Sequence, residues 1–246
     1  MKGIYDIHIH IIPGVDDGSS NLKETIAMLK ASYADGVRTI YATSHYRRGM
    51  FEPDRKLVAV RMQRVREEAL KIDPNFRILQ GCEFHANMDM IDLLNSDPTM
   101  TLGSSRCVLV EFSDSWTFSG IRERCNELIM NGYVPIIAHI ERYKALYRHL
   151  DEIQGLRDMG AYIQINAESV MGDHGFMMKR FCKKVMQADL LDFIGSDAHN
   201  MKSRKPCMGR CADYVEKVMG REYAARILIR NPQRIIENGR GKVNGK

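Results

Sequence analysis

The stretch YDIHIHIIPGVDDGSS, Tyr5 to Ser20, places two histidines two residues apart and follows them with paired aspartates. In a strand, His8 and His10 point to the same side. Residues of the same kind recur at the ends of later apolar runs: His45 in YATSH, Glu83 in LQGCE, Glu111 in VLVEF, His139 in IIAH, Asn166 in IQIN, and Asp197 with His199 in FIGSDAH. One such residue is ordinary core. A whole series of them, buried and unpaired, would be costly, and metal ions remove that cost. The candidate ligands are His8, His10, Asp17, His45, Glu83, Glu111, His139, Asp197 and His199. Mixed imidazole and carboxylate ligands suit Mn, Fe, Zn or Mg and do not choose among them. The set is too large for one ion with an open position and fits two or three divalent ions sharing carboxylates. Three such ions against four carboxylates leave about two positive charges, which matches a phosphate dianion.

These residues must be delivered by something, and the chain alternates short β-rich runs with amphipathic stretches of helical period. Expected strands are Gly3–Ile12, Val37–Ser44, Phe76–Glu83, Cys107–Phe112, Val134–His139, Ala161–Asn166 and Leu191–Asp197. Expected helices are Leu22–Asp35, Pro53–Lys71, Gly120–Asn131, Lys144–Met159, His174–Ala188 and Cys207–Met219. Asn21 and Glu24 have capping-box spacing ahead of the first helix. Strand–helix alternation means parallel strands with helical crossovers, and barrel enzymes build their sites at the C-terminal ends of those strands. The expected fold is α/β, a distorted (β/α)7 TIM-like barrel in one domain over residues 1–240, with 241–246 a flexible tail.

The length of 246 residues suits such a barrel, and 44% apolar residues supply its core. The net charge of +5 is compatible with anionic partners and decides nothing alone. Basic residues are dispersed and there is one Trp, so no aromatic-basic stripe for nucleic acid is evident. The six cysteines form no disulfide framework in a chain this long, and they read as small buried hydrophobes. None has an arginine six residues later, which excludes a cysteine phosphatase loop, and no GxxxxGK[ST] motif is present. The N-terminal apolar run is broken by Asp6, His8 and His10, unlike a signal peptide. No run approaches a membrane span. A cytoplasmic protein without membrane insertion is expected.

HxH, TSH, GCE, EF, AHIERY and SDAHN, in this order, resemble the PHP (polymerase and histidinol phosphatase) superfamily. VDDGS, TSHYRRGMF, IIAHIERY and NPQRII resemble its bacterial protein-tyrosine phosphatase branch, associated with capsule and exopolysaccharide synthesis. The likeness runs from Asp6 to about Ile236. It implies a three-metal site, usually manganese-preferring. His8, His10, Glu83 and Asp197 would hold the first ion. Glu83, Glu111 and His139 would hold the second, and Asp17, His45 and His199 the third. Asp16 competes with Asp17, because loop register is not visible in sequence. The implied partner is the tyrosine-rich tail of a bacterial kinase of polysaccharide export.

The expected reaction is in-line attack on phosphorus by a hydroxide bridging two metals about 3.5–4 Å apart, without a phosphoenzyme. Arg48, Arg142 and Arg204, with Arg47, are the candidates to bind the phosphoryl oxygens through their planar forks. His85 could assist, but a rim role suits it better. His149 and His174 are expected at the surface. The rival readings are a histidinol-phosphate or other small-molecule phosphatase, a nuclease or phosphodiesterase, and a metal-stabilised module that binds phosphotyrosine without turnover.

Overall fold

A computed structural model describes residues 1–240; the expected tail at 241–246 lies outside the described residues. The order is β1 (Ile4–Ile9), α1 (Leu22–Ala34), β2 (Val37–Ala42), β3 (His45–Tyr46), α2 (Arg55–Ile72), β4 (Arg77–Gln80), β5 (Glu83–His85), α3 (Met90–Ser96), β6 (Cys107–Glu111), α4 (Phe118–Met130), β7 (Val134–Ile137), α5 (Leu150–Asp158), β8 (Tyr162–Asn166), α6 (Ala167–Met171), α7 (Phe176–Gln187), β9 (Phe193–Gly195), α8 (Met208–Met219), α9 (Arg221–Ala225), a π-helical stretch Arg226–Arg230, and α10 (Asn231–Arg240). Paired strands are parallel throughout, in the orders β1-β2-β4 and β3-β5-β6-β7-β8-β9.

The two orders are one curled sheet. β3 continues the line of β2 after a break at Thr43-Ser44, beyond the expected end at Ser44, and β5 continues β4 after a break at Gly81-Cys82, running from the expected end at Glu83 to His85. The ladder continues across both breaks, with Gly81 N–H donating to Ala42 O at 2.9 Å and Glu83 N–H to Ser44 O at 3.1 Å. At the far edge, Asp197 N–H donates to His8 O at 2.7 Å and His10 N–H to Ala198 O at 2.9 Å. The last strand therefore turns back onto the first.

Strand period two then sorts the interior into layers. Tyr5, Ile7, Tyr41, Leu79, Leu109, Ile136, Tyr162 and Phe193, contributed by all the major strands, form one apolar cluster inside the curl, closed by Ile235 of α10. Two or four residues further along the same faces come Glu83, Glu111, Gln164, Asn166 and Asp197. Apolar side chains fill the bottom and ligand-type side chains fill the rim.

Two strands reach the rim out of phase, and each carries a local irregularity that corrects it. In β1 the register slips between Asp6 and Ile9. The face occupied by Tyr5 and Ile7 is thereby handed to His8 and His10. After β7, His139 follows Ala138 rather than alternating with it, and its backbone is left-handed, with φ 33°. Asp197 is left-handed too, at φ 52°. Left-handed non-glycine residues cost about 1 kcal/mol or more each, and both stand where a ligand must face inward.

Asn21 caps α1 as its spacing predicts, accepting from Glu24 N–H at 3.1 Å. In return, Glu24 Oε2 accepts from Ser20 N–H at 3.0 Å, one residue earlier than in a regular box. The helix expected at Lys144–Met159 begins only at Leu150. Tyr143–His149 folds into successive turns, and Arg148 adopts φ 70°, which a helix interior excludes. The helix expected from His174 begins at Phe176, because Gly175 sits at φ 98°. α3, α6 and the C-terminal helices are additions to the expected set.

Candidate metal centre

Glu83 lies at the centre of the rim and is buried. Its Oε2 is 3.1 Å from His8 Nε2, 3.1 Å from His10 Nε2 and 3.1 Å from His45 Nδ1. Its Oε1 is 2.8 Å from His139 Nε2. Asp197 Oδ1 lies 3.5 Å from both His8 and His10 Nε2 and 3.6 Å from His199 Nδ1. Asp17 Oδ1 lies 3.5 Å from His45 Nε2 and 3.6 Å from His199 Nε2. Glu111 stands 3.9 Å from His45 Nδ1 and 3.8 Å from His139 Nε2. All the candidate ligands read from the sequence thus meet in one place.

Three groups have ligand atoms close enough to hold an ion: His8, His10, Glu83 and Asp197; His45, Glu83 and Glu111; and His10, Asp17, His45 and His199. The first matches the set that the resemblance implies. In the second His45 takes a place expected for His139, which approaches Glu83 and Glu111 from the other side. Several of these atoms are buried without a hydrogen-bond partner: His45 Nδ1, Glu83 Oε2, Glu111 Oε2 and His199 Nε2. Converging, desolvated and unsatisfied lone pairs are what a divalent cation requires. The residues present fit metal ions.

A further layer of polar groups aims the ligands. Gln164 Oε1 accepts from His139 N–H at 2.7 Å and faces His8 Nδ1 at 3.3 Å. An amide oxygen only accepts, so the His8 proton sits on Nδ1 and Nε2 is free for the cluster. His199 Nδ1 likewise faces the Asp197 carbonyl at 2.9 Å, leaving Nε2 bare. Asp16 accepts from His10 Nδ1 at 2.8 Å, His45 N–H at 2.9 Å and Gly18 N–H at 3.0 Å. Its oxygens are engaged in positioning, whereas Asp17 faces two histidines. Tyr143 OH lies 3.1 Å from His139 Nδ1 and accepts from Phe112 N–H. Buried Asp6 accepts from Ser196 N–H at 2.9 Å and His8 N–H at 3.3 Å, tying the two ligand-bearing strands together. Gln164, Tyr143 and Asp6 are absent from the set expected from sequence. For Gln164 a signal exists, since it shares the strand face of Asn166 two residues on.

Arg142 donates to Asp197 Oδ2 at 2.8 Å, Arg204 lies 2.6 Å from it, and Asn166 donates to it at 2.7 Å. Asp197 therefore offers one oxygen to the histidines and spends the other on arginines. Arg47 stands near Glu111 and His85, on a tight loop closed by backbone bonds to Phe51. Arg48 pairs with Asp89 and is mostly exposed. His85 bonds Ser113 Oγ at 2.9 Å, at the rim. His149 is exposed, and His174 pairs with Glu168 at the surface.

The electrostatics carry a consequence for metal uptake. Burial opposes a charge on His10, but Asp16 on one nitrogen and Glu83 on the other lift its pKa to about 10. Burial and the neighbouring Glu83 push Glu111 up to about 8. Burial and Arg142 push His139 down to about 4. At neutral pH His10 and Glu111 hold protons that ligation must displace. Loading at pH 7 is expected to release about two protons, and affinity falls as pH falls. Calorimetry in two buffers of different ionisation enthalpy measures this; zero release would contradict ligation by His10 and Glu111.

Comparison with known proteins follows the same line. Tyrosine-protein phosphatase CpsB of Streptococcus pneumoniae is 37% identical over 236 residues, covering 94% of this chain and 97% of its own. Tyrosine-protein phosphatase CpsB of Streptococcus agalactiae is 34% identical, covering 95% and 98%. A structure solved in work on YwqE from Bacillus subtilis and CpsB from Streptococcus pneumoniae, described as metal-dependent tyrosine phosphatases, superposes with a TM-score of 0.86. It is 28% identical and covers 96% of this chain and 95% of that one. Residues 4–237 match the family described as "Capsular polysaccharide synthesis, CpsB/CapC", and the chain belongs to that family.

Proposed function

We infer that this chain is a metal-dependent protein-tyrosine phosphatase built on a distorted (β/α)7 barrel, a single domain through residue 240. The observation that carries the reading is the convergence of imidazoles and carboxylates on Glu83, with buried lone pairs left unsatisfied. Its relatives' activity points the same way. His8, His10, Glu83 and Asp197 would hold one ion; Glu83, Glu111 and His139 a second; Asp17, His45 and His199 a third, with His45 placed to serve the second as well.

Divalent ions bound there, manganese ahead of iron, zinc or magnesium, would supply an activated water and positive charge for the phosphoryl oxygens. The chain's own residues do the rest. Arg142 and Arg204 each spend one donor on Asp197 and keep others for the non-bridging oxygens. Arg47 adds positive charge at the rim for the phosphorylated segment, and Arg48, held by Asp89, stands next to it in the same loop. Tyrosinate is a good leaving group, with a phenol pKa of about 10, so the need for a general acid is small. Asp17 is 53% exposed, which leaves the third-ion side open to a protein segment. The partner is a phosphotyrosine protein, the tyrosine-rich tail of a kinase of polysaccharide export, met in the cytoplasm. No helix among the described residues is long and apolar enough to cross a membrane.

The thiols take no part. All six are buried, and burial pushes Cys82, Cys125 and Cys211 up to about 12. Iodoacetamide at neutral pH is therefore expected to leave turnover within about twofold of the untreated protein. Loss of activity on alkylation would reopen a thiolate route. The substrate reading is tested by kcat/KM for a phosphotyrosine peptide against histidinol phosphate. Preference for the peptide supports it; preference for histidinol phosphate moves the protein to small-molecule chemistry.

A further inference from the structure

Beside the rim, between the start of α5 and the first turns of α7, lies a groove of 310 Å³ lined by Arg148, Leu150, Met177, Arg180, Phe181 and Lys184. Its floor is apolar. Phe181 is buried and packs edge-on against Tyr147, with ring centroids 4.9 Å apart. Met177 is 45% exposed and its neighbour Phe176 is 74% exposed. Its walls are cationic and not neutralised. Arg148 lies over the Tyr147 ring, and no carboxylate pairs with Arg148, Arg180 or Lys184 among the described residues. Arginines elsewhere on the surface are paired: Arg157 with Asp192, Arg210 with Asp173 and Arg226 with Asp189. Asp151 and Glu152 begin α5 but do not line the groove.

The groove is coupled to the metal centre through one short segment. Arg142 touches Asp197, Tyr143 touches His139, and Tyr147 packs on Phe181. α7 packs against the turn Ile140–Arg142. Arg148 comes six residues after Arg142, so the two lie at most about 21 Å apart, the fully extended length of that segment. An extended substrate spans the same distance with about six residues.

We propose that this groove is the docking site for an acidic segment of the phosphoprotein substrate, within about six residues of the phosphotyrosine, with an apolar side chain seated on Phe181 and Met177. The proposal rests on the phosphatase reading for its substrate. Charge complementarity is its basis: three unpaired cations around an apolar floor favour carboxylates flanking a hydrophobic residue. Such a site contributes to KM and to the salt dependence of capture, while the chemistry stays at the metals.

The test uses fluorescein-labelled phosphotyrosine peptides carrying glutamates three to six positions to either side, and the same peptides with glutamines. The proteins are wild type, the charge-reversed Arg148→Glu/Arg180→Glu/Lys184→Glu variant, and the milder Arg148→Gln/Arg180→Gln variant. For the full variant the acidic peptide's KM is expected to rise about tenfold, and its Kd by fluorescence anisotropy likewise, with a smaller rise for the milder one. Turnover of a small aryl phosphate should stay unchanged in all three proteins, which reports folding and metal loading. Equal KM and Kd for acidic and neutral peptides, or no change in the variants, overturns the proposal. So does loss of binding to phosphatidylglycerol vesicles without loss of peptide binding, which would assign the groove to a membrane surface. Failure of all turnover with anisotropy intact would refute the phosphatase reading and leave the docking site standing.

Discussion

Glu83→Gln is expected to lower kcat on a phosphotyrosine peptide by about a thousandfold or more, equivalent to about 4 kcal/mol of transition-state stabilisation. The change keeps shape and removes charge. Its carboxylate faces four histidines, His8, His10 and His45 through Oε2 and His139 through Oε1. An amide offers one oxygen and one NH2 group there, and that NH2 would be aimed at ligand nitrogens or at an ion. Metal content should fall with activity, while the apolar layer below, which does not touch Glu83's charge, keeps the protein folded. Metal analysis and circular dichroism of the variant read the two separately. Full metal content with normal kcat would remove Glu83 from the ligand set.

Gly195→Ala has the second largest expected effect, and it comes from one methyl group. Gly195 stands two residues before Asp197 on the inward face of β9, and a Cβ there would lie 2.5 Å from His8 Cβ and 3.2 Å from His8 N. His8 cannot retreat freely, since Gln164 holds its ring and Asp6 its amide. Overpacking of this kind costs about 1–3 kcal/mol, a fall in Tm of roughly 2–12 °C for a domain of this size. The displaced His8 should also weaken metal binding and activity beyond what the loss of stability explains. A thermal melt with and without added manganese measures both. An unchanged Tm with full activity would mean that the two strands separate at no cost.

The chemistry of the site was legible because ligand-type residues recur at the C-terminal ends of successive apolar runs, and a curled parallel sheet brings those ends together. The positions of Glu83, Glu111 and Asp197 follow from period two along their strands, and the same period puts His8 and His10 on one side of theirs. What was not legible is how out-of-phase residues reach the interior. The register slip between Asp6 and Ile9 and the left-handed backbone at His139 are tertiary solutions, and no local preference announces them. Gln164 was passed over for a similar reason. A glutamine inside a β-rich run reads as a tolerated polar residue until its oxygen is seen between two ligands. The competition between Asp16 and Asp17 is a matter of loop geometry: Asp16 is enclosed by two backbone amides and His10, while Asp17 turns toward His45 and His199. The late start of α5 is of the same kind, because the turns from Tyr143 to His149 carry residues that a helix would also accept.

The most direct test of the account is the activity of metal-stripped protein on a phosphotyrosine peptide as manganese, iron, zinc and magnesium are added back in turn, with bound metal counted and His8→Ala as control. The account predicts no turnover without metal, recovery with about two to three ions per chain, manganese best, and loss in the variant. Turnover that survives complete metal removal, or a fully loaded and folded protein that leaves the peptide untouched, would contradict it.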